Sequence, residues 1–292
     1  MPTSLALLRH RGLVRVAGPD AVKLLNGLVT NDLAKLDAQP AIHAGLLTPQ
    51  GKILFDFFVV KAGGDVLLLD VAQTSVEALV KRLTMYKLRA AVAIEVAPGD
   101  LVVGALWGDA VRVPAGVIAY PDPRLAALGQ RFIASAGRVG EIPAQLADDT
   151  AYVAHRISHG VPEGGLDYAF ADTFPHEALF DQLQGVDFEK GCYVGQEVVS
   201  RMEHRGTARN RIVPVEGAGS LTVAAAITAG PASIGKIGSV AGRSGLALIR
   251  LDRAHEATQK GENIVAGDVT LRLRKPDWAT FDMTGAKRVE PS

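Results

Sequence analysis

The sequence of 292 residues contains a single cysteine, Cys192. One cysteine cannot form an internal disulfide, and alone it cannot supply the ligands of a zinc or metal-cluster site. The absence of disulfides is typical of a reducing compartment rather than of a secreted protein. A disulfide-stapled fold is therefore excluded.

The chain also lacks an excess of either charge, since 31 basic and 31 acidic side chains give a formal charge of zero. A large nucleic-acid interface normally needs a basic excess. No run of residues approaches the roughly 18 apolar positions of a membrane helix, and the first residues do not resemble a signal peptide. We therefore predict a cytoplasmic protein with no membrane segment and no strong nucleic-acid binding.

The chain is rich in apolar residues, which make up 48% of it, whereas 21% of the residues are charged. This composition predicts a folded protein with one large domain or two to three smaller ones. Apolar runs predict strands at 13–16, 41–47, 53–60, 66–71 and 92–96, with a hairpin turn at 48–51. Helical spacing predicts helices after Asp20 and around 76–83. This order predicts an α+β layer with helices on one face.

The middle and the end of the chain show different patterns. Residues 97–147 have weak periodicity and several breaks, so their elements cannot be ordered. A helix is predicted from the capping residues at 148–150 to Gly160. After about residue 206, glycine becomes frequent and short apolar runs recur, which predicts a small β-barrel domain.

The segment around Cys192, with the sequence FEKGCYVGQE over residues 188–197, has the most informative pattern. A free cysteine is most often a small buried apolar residue. Here Gly191 and Gly195 allow close approach of another molecule to the backbone. Lys190 and the downstream cations Arg201, His204 and Arg205 favour a thiolate. The predicted reactive centre therefore comprises Cys192, Lys190, Gly191, Gly195, Gln196 and Glu197.

Residues 190–197 resemble the K-G-C-Y-x-G-Q-E signature of the YgfZ family. That family is a branch of the superfamily that contains the glycine-cleavage T-protein, an aminomethyltransferase. Further segments resemble the same family, at 25–32, 47–52, 157–162 with Asp167, 175–178 and 201–215. The resemblance runs from about residue 13 into the C-terminal domain.

The resemblance implies an α+β chain with the ring-like T-protein fold. Its expected parts are a folate-binding-like domain at 1–205, a ferredoxin-like subdomain at about 37–145, and a C-terminal β-barrel at 206–292. It also implies a tetrahydrofolate-type pocket and an accessory role in assembling or repairing iron–sulfur clusters, including those of tRNA-thiolating enzymes. The expected partners are iron–sulfur scaffold or client proteins and a folate-type small molecule.

Two departures from the family pattern bear on the pocket. The T-protein has paired aspartates where this chain keeps only Asp56, so aminomethyl transfer is not expected. Ser158 stands where family members often carry a glutamate that binds the pteridine, so tetrahydrofolate should bind weakly. Tyr152 matches a stacking tryptophan of the family. The expected folate-contacting residues are Asn31, Asp56, Tyr152, Arg156, Ser158, Tyr193 and Arg205.

Two rival functions stay open, a folate-dependent one-carbon transferase that uses Asp56 and a tRNA-binding module. A basic strip of Arg201, Arg205, Arg209 and Arg211 with His204 is either a solvated surface or a site for an anionic tail or RNA phosphate. No metal site is predicted from His155 and His159, because Arg156 stands where a zincin-like motif has glutamate.

Overall fold

The computed structural model describes residues 2–206 and 208–285. The chain forms two compact units, each assembled from separate segments. The first unit contains Met1–Thr48, Leu54–Tyr152 and Leu183–Val194, and the second contains Pro49–Ile53, Val153–Gln182 and Gly195–Ser292. The domain division at residue 206 and the subdomain at about 37–145 stay predictions.

The strands of the first unit fall into two five-stranded sheets. In chain order they are β1 Ser4–Leu7, β2 Arg11–Ala17, β3 Ala41–Leu47, β4 Ile53–Lys61, β5 Val66–Ala72, β6 Ala93–Val96, β7 Leu101–Trp107, β8 Ile118–Pro121, β9 Gln130–Ser135 and β10 Gln145–Leu146. The α-helices of the described residues are α1 Ala21–Asn26, α2 Val76–Lys87, α3 Asp149–Ser158, α4 Gln196–Arg205 and α5 Leu251–Gln259.

The first sheet has the order β3-β4-β5-β2-β6 and is covered on both faces. Along β4, Phe57 and Val59 pack into a core with Leu79 of α2. Their neighbours Phe58 and Val60 pack into a second core that includes residues of β7 and β9. Because successive side chains of a strand point to opposite faces, a strand buried on both faces reads as a continuous apolar run. The predicted layer with helices on one face is therefore confirmed.

The second sheet has the order β10-β1-β7-β9-β8 and contains most of the region whose elements the sequence did not order. Its strands are short, from two residues in β10 to seven in β7. Arg131, the second residue of β9, is 1% exposed, so a buried charged residue interrupts the apolar pattern of the strand. Short strands with buried charges give little periodic signal.

The second unit contains a closed barrel with the strand order β11-β14-β13-β12-β15-β16. Its strands are β11 Asn210–Gly217, β12 Ala226–Ala229, β13 Ala232–Ala241, β14 Ser244–Arg250, β15 Ile264–Ala266 and β16 Val269–Leu273. Register shifts in the pairs β12–β13 and β13–β14 mark bulges, which are common in barrels because they bend the strands. The predicted C-terminal β-barrel is confirmed.

A buried carboxylate, Asp70 on β5, links the two sheets of the first unit. Its oxygens accept hydrogen bonds from Nε of Arg11 at 2.7 Å and from Nη2 of Arg131 on β9 at 2.6 Å. Both guanidinium groups lie over the ring of Phe58, at 5.7 and 4.5 Å from its centroid. Burial and the neighbouring Asp70 raise the pKa of Tyr120, whose hydroxyl lies 3.4 Å from Oδ2 of Asp70. Buried charges are tolerated only when they are paired in this way.

The substitution Asp70→Asn should lower the free energy of unfolding by about 3–5 kcal/mol, because it leaves two buried arginines without their anion. Glu95→Gln is the matched control, since its carboxylate pairs with Arg15 at 2.6 Å on the exposed surface of the same unit. That change should cost less than about 1 kcal/mol. Denaturant unfolding of both variants measures the difference. Equal losses would show that the buried network does not stabilise the fold.

Candidate functional site

The side chain of Lys190 holds the segment that carries Cys192 against the first unit. Its Nζ donates to the backbone carbonyls of Asn26 at 2.7 Å, Val29 at 2.6 Å and Asn31 at 3.1 Å. An ammonium group has three N–H donors, and these carbonyls accept all of them. The lysine therefore joins the chain at residue 190 to the segment that follows α1.

The burial of Lys190 changes the pKa of its ammonium group. Burial lowers its pKa to about 8, while the carboxylates of Asp32 and Asp187 act in the opposite direction. The group remains mostly charged at neutral pH, since the pKa lies above 7. The sequence predicted that Lys190 tunes the thiol. The geometry instead directs its N–H groups to backbone carbonyls, so any effect on Cys192 acts through charge alone.

Residues 188–194, which we call the thiol loop, contain Cys192 between two buried residues, Lys190 and Tyr193. Cys192 is exposed, whereas Lys190 and Tyr193 are each 8% exposed. The Lys190 ammonium lies 5.2 Å from the Tyr193 ring centroid, and burial raises the pKa of that phenol. Val194 packs against the apolar core of the first unit. The thiol is therefore accessible on a loop that is anchored on both sides.

A second anchor of the thiol loop is the carboxylate of Asp187. It accepts hydrogen bonds from the backbone N–H groups of Glu189 at 2.8 Å and Lys190 at 3.1 Å. Its other oxygen lies 2.8 Å from Nζ of Lys35. Hydrogen bonds and this ion pair lower the pKa of Asp187 against the opposing effect of its burial. Asp187 is thus held ionised and fixes the start of the loop.

The octapeptide at 190–197 continues from the first unit into the second at Gly195. Gly195 has a φ of 82° and directly precedes α4, a conformation that favours glycine. Gln196 and Glu197 form the first turn of α4, and the Glu197 carboxylate pairs with Arg201 on the exposed face. Glu197 therefore takes part in a surface ion pair of the helix.

The predicted basic strip is not one continuous surface. Arg201, Arg205 and Arg209 are exposed. Arg211 is buried, and its Nη1 donates to Oδ1 of Asp181 at 2.6 Å and to the carbonyl of His176 at 2.7 Å. The guanidinium of Arg211 therefore forms its contacts inside the second unit. The prediction that Arg211 belongs to the basic strip is wrong.

A polar cluster connects Lys190 to two residues expected in the folate pocket. Nδ2 of Asn31 donates to the carbonyls of His43 at 2.8 Å and Gln184 at 2.7 Å. Nε2 of His43 lies 3.0 Å from Oδ1 of Asp56, and its Nδ1 lies 3.1 Å from the carbonyl of Leu183. Asn31, Asp56 and Lys190 are thus brought together within one unit.

Two residues near the expected pocket were not predicted from the sequence: His43, which bridges this cluster, and Arg124, which approaches Tyr152. His43 is the third residue of β3, a strand in which every residue is buried. Arg124 pairs with Asp122 at 2.8 Å and lies 5.0 Å from the Phe58 ring centroid. A polar residue inside an apolar strand was the available signal for His43, because a buried polar group needs a partner.

Tyr152, expected to stack on a pterin, is 1% exposed and lies in an apolar core. Its ring centroid is 5.7 Å from that of Trp107, and its hydroxyl lies 3.5 Å from Nη2 of Arg124. Tyr193 is also buried. These two aromatic rings offer little exposed face for stacking.

Three other expected folate contacts lie in the second unit. Arg156 is fully buried, and its Nη1 lies 2.5 Å from Oδ2 of Asp167 while its Nη2 donates to Oγ of Ser239 at 2.7 Å. Ser158 is exposed at the end of α3, and its hydroxyl donates to the carbonyl of His155 at 2.7 Å. Arg205 is exposed near the end of α4. Their role as folate contacts stays a prediction.

A group of possible metal ligands occurs in the second unit, comprising His176, Asp181 and Glu203. Nε2 of His176 lies 3.0 Å from Oε2 of Glu203, and the guanidinium of Arg211 pairs with Asp181. The arginine places a positive charge beside Asp181, where it competes with a bound cation. His155 and His159 contact each other edge to face, with ring centroids 4.7 Å apart.

Across the described part of the chain, no helix is both long enough and apolar enough to cross a membrane.

Comparison with solved structures identifies the fold. The glycine cleavage system aminomethyltransferase T from Bartonella henselae superposes with a TM-score of 0.74 at 15% sequence identity. The match covers 95% of this chain and 86% of that protein. A family model described as the C-terminal beta-barrel domain of CAF17 matches residues 209–281. The predicted α+β fold of the T-protein with a C-terminal barrel is therefore confirmed.

Comparison with curated proteins finds relatives that share a name, iron-sulfur cluster assembly factor IBA57. The Homo sapiens protein is 33% identical over an alignment that covers 93% of this chain and 84% of that protein. The Mus musculus protein is 32% identical over 93% of this chain and 84% of its own length. The Mycosarcoma maydis homolog is 38% identical over 72% of this chain, and the match spans only 56% of that longer protein.

The names of these relatives include the word mitochondrial, which contradicts the cytoplasmic location predicted from the sequence. That prediction was wrong because the absence of disulfides excludes only oxidising compartments and does not choose among reducing ones.

The match to most of the human and mouse proteins, at 33% and 32% identity, is long enough to assign the family. This chain belongs to the IBA57 family.

Proposed function

We propose that this protein is an accessory factor in the assembly or repair of iron–sulfur clusters, and that Cys192 is the group that contacts the cluster. The observation that carries the proposal is the exposed thiol on a loop anchored by the buried side chains of Lys190 and Tyr193. The name of the relatives, iron-sulfur cluster assembly factor, supports the same role.

The chemistry follows from the number of thiols. Cys192 offers one thiolate, whereas an iron–sulfur cluster usually takes four protein ligands. The remaining ligands must come from a partner chain or from small thiols. Gly191, which has open space around it, leaves room for that partner beside the thiol. The proposed partners are therefore iron–sulfur scaffold or client proteins, including tRNA-thiolating enzymes as in the YgfZ family.

An aminomethyltransferase activity has less support. Phe55, which replaces one of the paired T-protein aspartates, is buried in the apolar core. The remaining carboxylate, Asp56, contacts His43 at 3.0 Å. The tRNA-binding alternative is also weakened, because the basic strip loses Arg211 to the interior.

The residues expected to hold tetrahydrofolate do not fit a tight pterin site. Arg156 is committed to Asp167 and Ser239, and Tyr152 is buried against Trp107. Ser158 supplies a hydroxyl that already donates to its own helix, in place of a carboxylate acceptor. Weak binding of tetrahydrofolate accordingly remains part of the proposal, and no reaction step depends on it.

Cys192→Ser should abolish function in cells while leaving the fold intact, because the exposed thiol contributes little to packing. Complementation of a deletion strain, followed by activity of a four-iron enzyme, measures function, and circular dichroism measures the fold. Glu189→Gln is the control, because it changes an exposed side chain of the same loop, and this variant should complement the deletion strain fully. Full rescue by the serine variant would show that the thiol is dispensable.

The purified protein should remain colourless after anaerobic reconstitution with iron and sulfide, because one thiolate cannot hold a cluster. Absorption spectroscopy provides the measurement. Addition of a cluster-loaded scaffold protein should give a complex whose absorption depends on Cys192. A stable chromophore on the isolated chain would contradict the requirement for a partner.

Ser158→Glu should bind tetrahydrofolate roughly ten- to a hundredfold more tightly than the wild type, since it restores a charge-assisted hydrogen bond worth about 1.5–3 kcal/mol. Isothermal titration calorimetry measures both affinities. Ser158→Ala is the control and should show no gain. Equal or weaker binding by the glutamate variant would mean that this position does not contact the pterin.

A further inference from the structure

We propose that an acidic protein docks in an apolar groove beside the thiol loop and is oriented there to present its iron–sulfur cluster to Cys192. This inference rests on the proposed function, because it concerns the partner that brings the cluster. The α1 groove, as we call it, has a volume of about 350 Å³ and is lined by Asp20, Lys23, Leu24, Gly27, Leu28 and Ala90.

The α1 groove lies next to the anchor of the thiol loop. Nζ of Lys190 donates to the carbonyls of Asn26 and Val29, which flank Gly27 and Leu28 in the groove wall. Successive Cα atoms are about 3.8 Å apart, so the Cα of Cys192 lies within roughly 8 Å of that of Lys190. A protein seated in the groove can therefore reach the thiol.

An exposed apolar side chain lies two residues before Ala90, which lines the groove. Leu88, directly after α2, is 88% exposed, and Met85 is 64% exposed. The turn that carries Leu88 is fixed to the groove wall, since the N–H of Ala91 donates to Oδ2 of Asp20 at 2.8 Å. A single exposed apolar residue needs no explanation by itself, but an exposed leucine next to an apolar groove extends the apolar surface available to another protein.

The backbone at Leu88 supplies an independent observation. Leu88 has a φ of 46° and a ψ of −110°, in a region that residues with a side chain rarely adopt. Such strain persists where the surrounding structure imposes it and clusters at functional sites. Here the strained conformation belongs to one of the most exposed leucines of the described chain.

The charges around the groove select the partner. Lys23 lies in the groove wall, and Lys87 and Arg89 lie on either side of Leu88, whereas Asp20 is the one acidic residue lining the groove. This local positive excess occurs on a chain whose formal net charge is zero. Complementary charge favours encounter with an acidic surface and disfavours a basic one. The expected occupant is therefore an acidic protein with an apolar side chain that enters the groove.

The test compares binding of the full-length protein and its variants to a purified scaffold protein loaded with its iron–sulfur cluster. Leu88→Gly removes the side chain and also relieves the positive φ, so the fold should be equally or more stable. Its affinity should fall at least about tenfold, as expected for the loss of an apolar anchor. Leu146→Ser is the matched control, because Leu146 is 72% exposed on β10 of the same unit and should change affinity less than about twofold.

Charge reversal tests whether the protein that docks in the groove is acidic. Lys87→Glu with Arg89→Glu should weaken the complex and reduce its dependence on salt, whereas Lys260→Glu on the second unit should have little effect. Equal affinity for the Leu88 and Leu146 variants would overturn the docking site. Self-association of the wild type that Leu88→Gly abolishes would also overturn it, since the occupant would then be a second copy.

The Cys192→Ser variant separates this inference from the proposed function. It should still dock on the loaded scaffold, yet fail to complement the deletion strain. If the wild type forms no complex with the scaffold, the docking inference is wrong, whatever Cys192→Ser does in cells. If Cys192→Ser complements fully, the proposed function is wrong, even where Leu88 proves necessary for binding.

Discussion

The arrangement of the candidate site depends on one buried ammonium group. Lys190 donates to three carbonyls between residues 26 and 31, and these contacts fix both the end of α1 and the loop that presents Cys192. The same backbone segment leads through Asn31 to His43 and Asp56. A point charge with three donors can satisfy three converging carbonyls, which a planar guanidinium would not do equally well. The lysine of the octapeptide is thus explained by geometry.

Much of the first unit and the barrel could be predicted because their elements carry a regular apolar pattern. The strands at 41–47 and 53–60 and the helix after Asp20 were found in this way. The second sheet was not ordered, since its strands are short and β9 contains the buried Arg131. The guanidinium of Arg131 pairs with Asp70 on the other sheet, 61 residues away in the sequence. No local sequence pattern reveals such a pairing.

Only part of the candidate site could be predicted, because residue spacing does not show contacts between residues that are far apart in the sequence. The octapeptide identified Cys192 and Lys190 as a unit, but residue spacing could not show that the lysine bonds to carbonyls more than 150 residues away. Arg156 was assigned to a folate pocket from the family resemblance and Arg211 to a basic strip from its charge, whereas both are buried beside carboxylates. Sequence patterns give the sign of a charge, and only the fold shows which opposite charge lies next to it.

The division of each unit into distant segments has a consequence for synthesis of the chain. The carbonyl partners of Lys190 precede it by 164, 161 and 159 residues, so these hydrogen bonds close some of the longest loops in the molecule. Contacts of such high sequence separation form late, because the entropy of loop closure must be overcome before they stabilise anything. None of these hydrogen bonds can form before the ribosome has added residue 190, long after residues 26–31. The thiol is therefore displayed in its anchored form only after both of these segments have been synthesised.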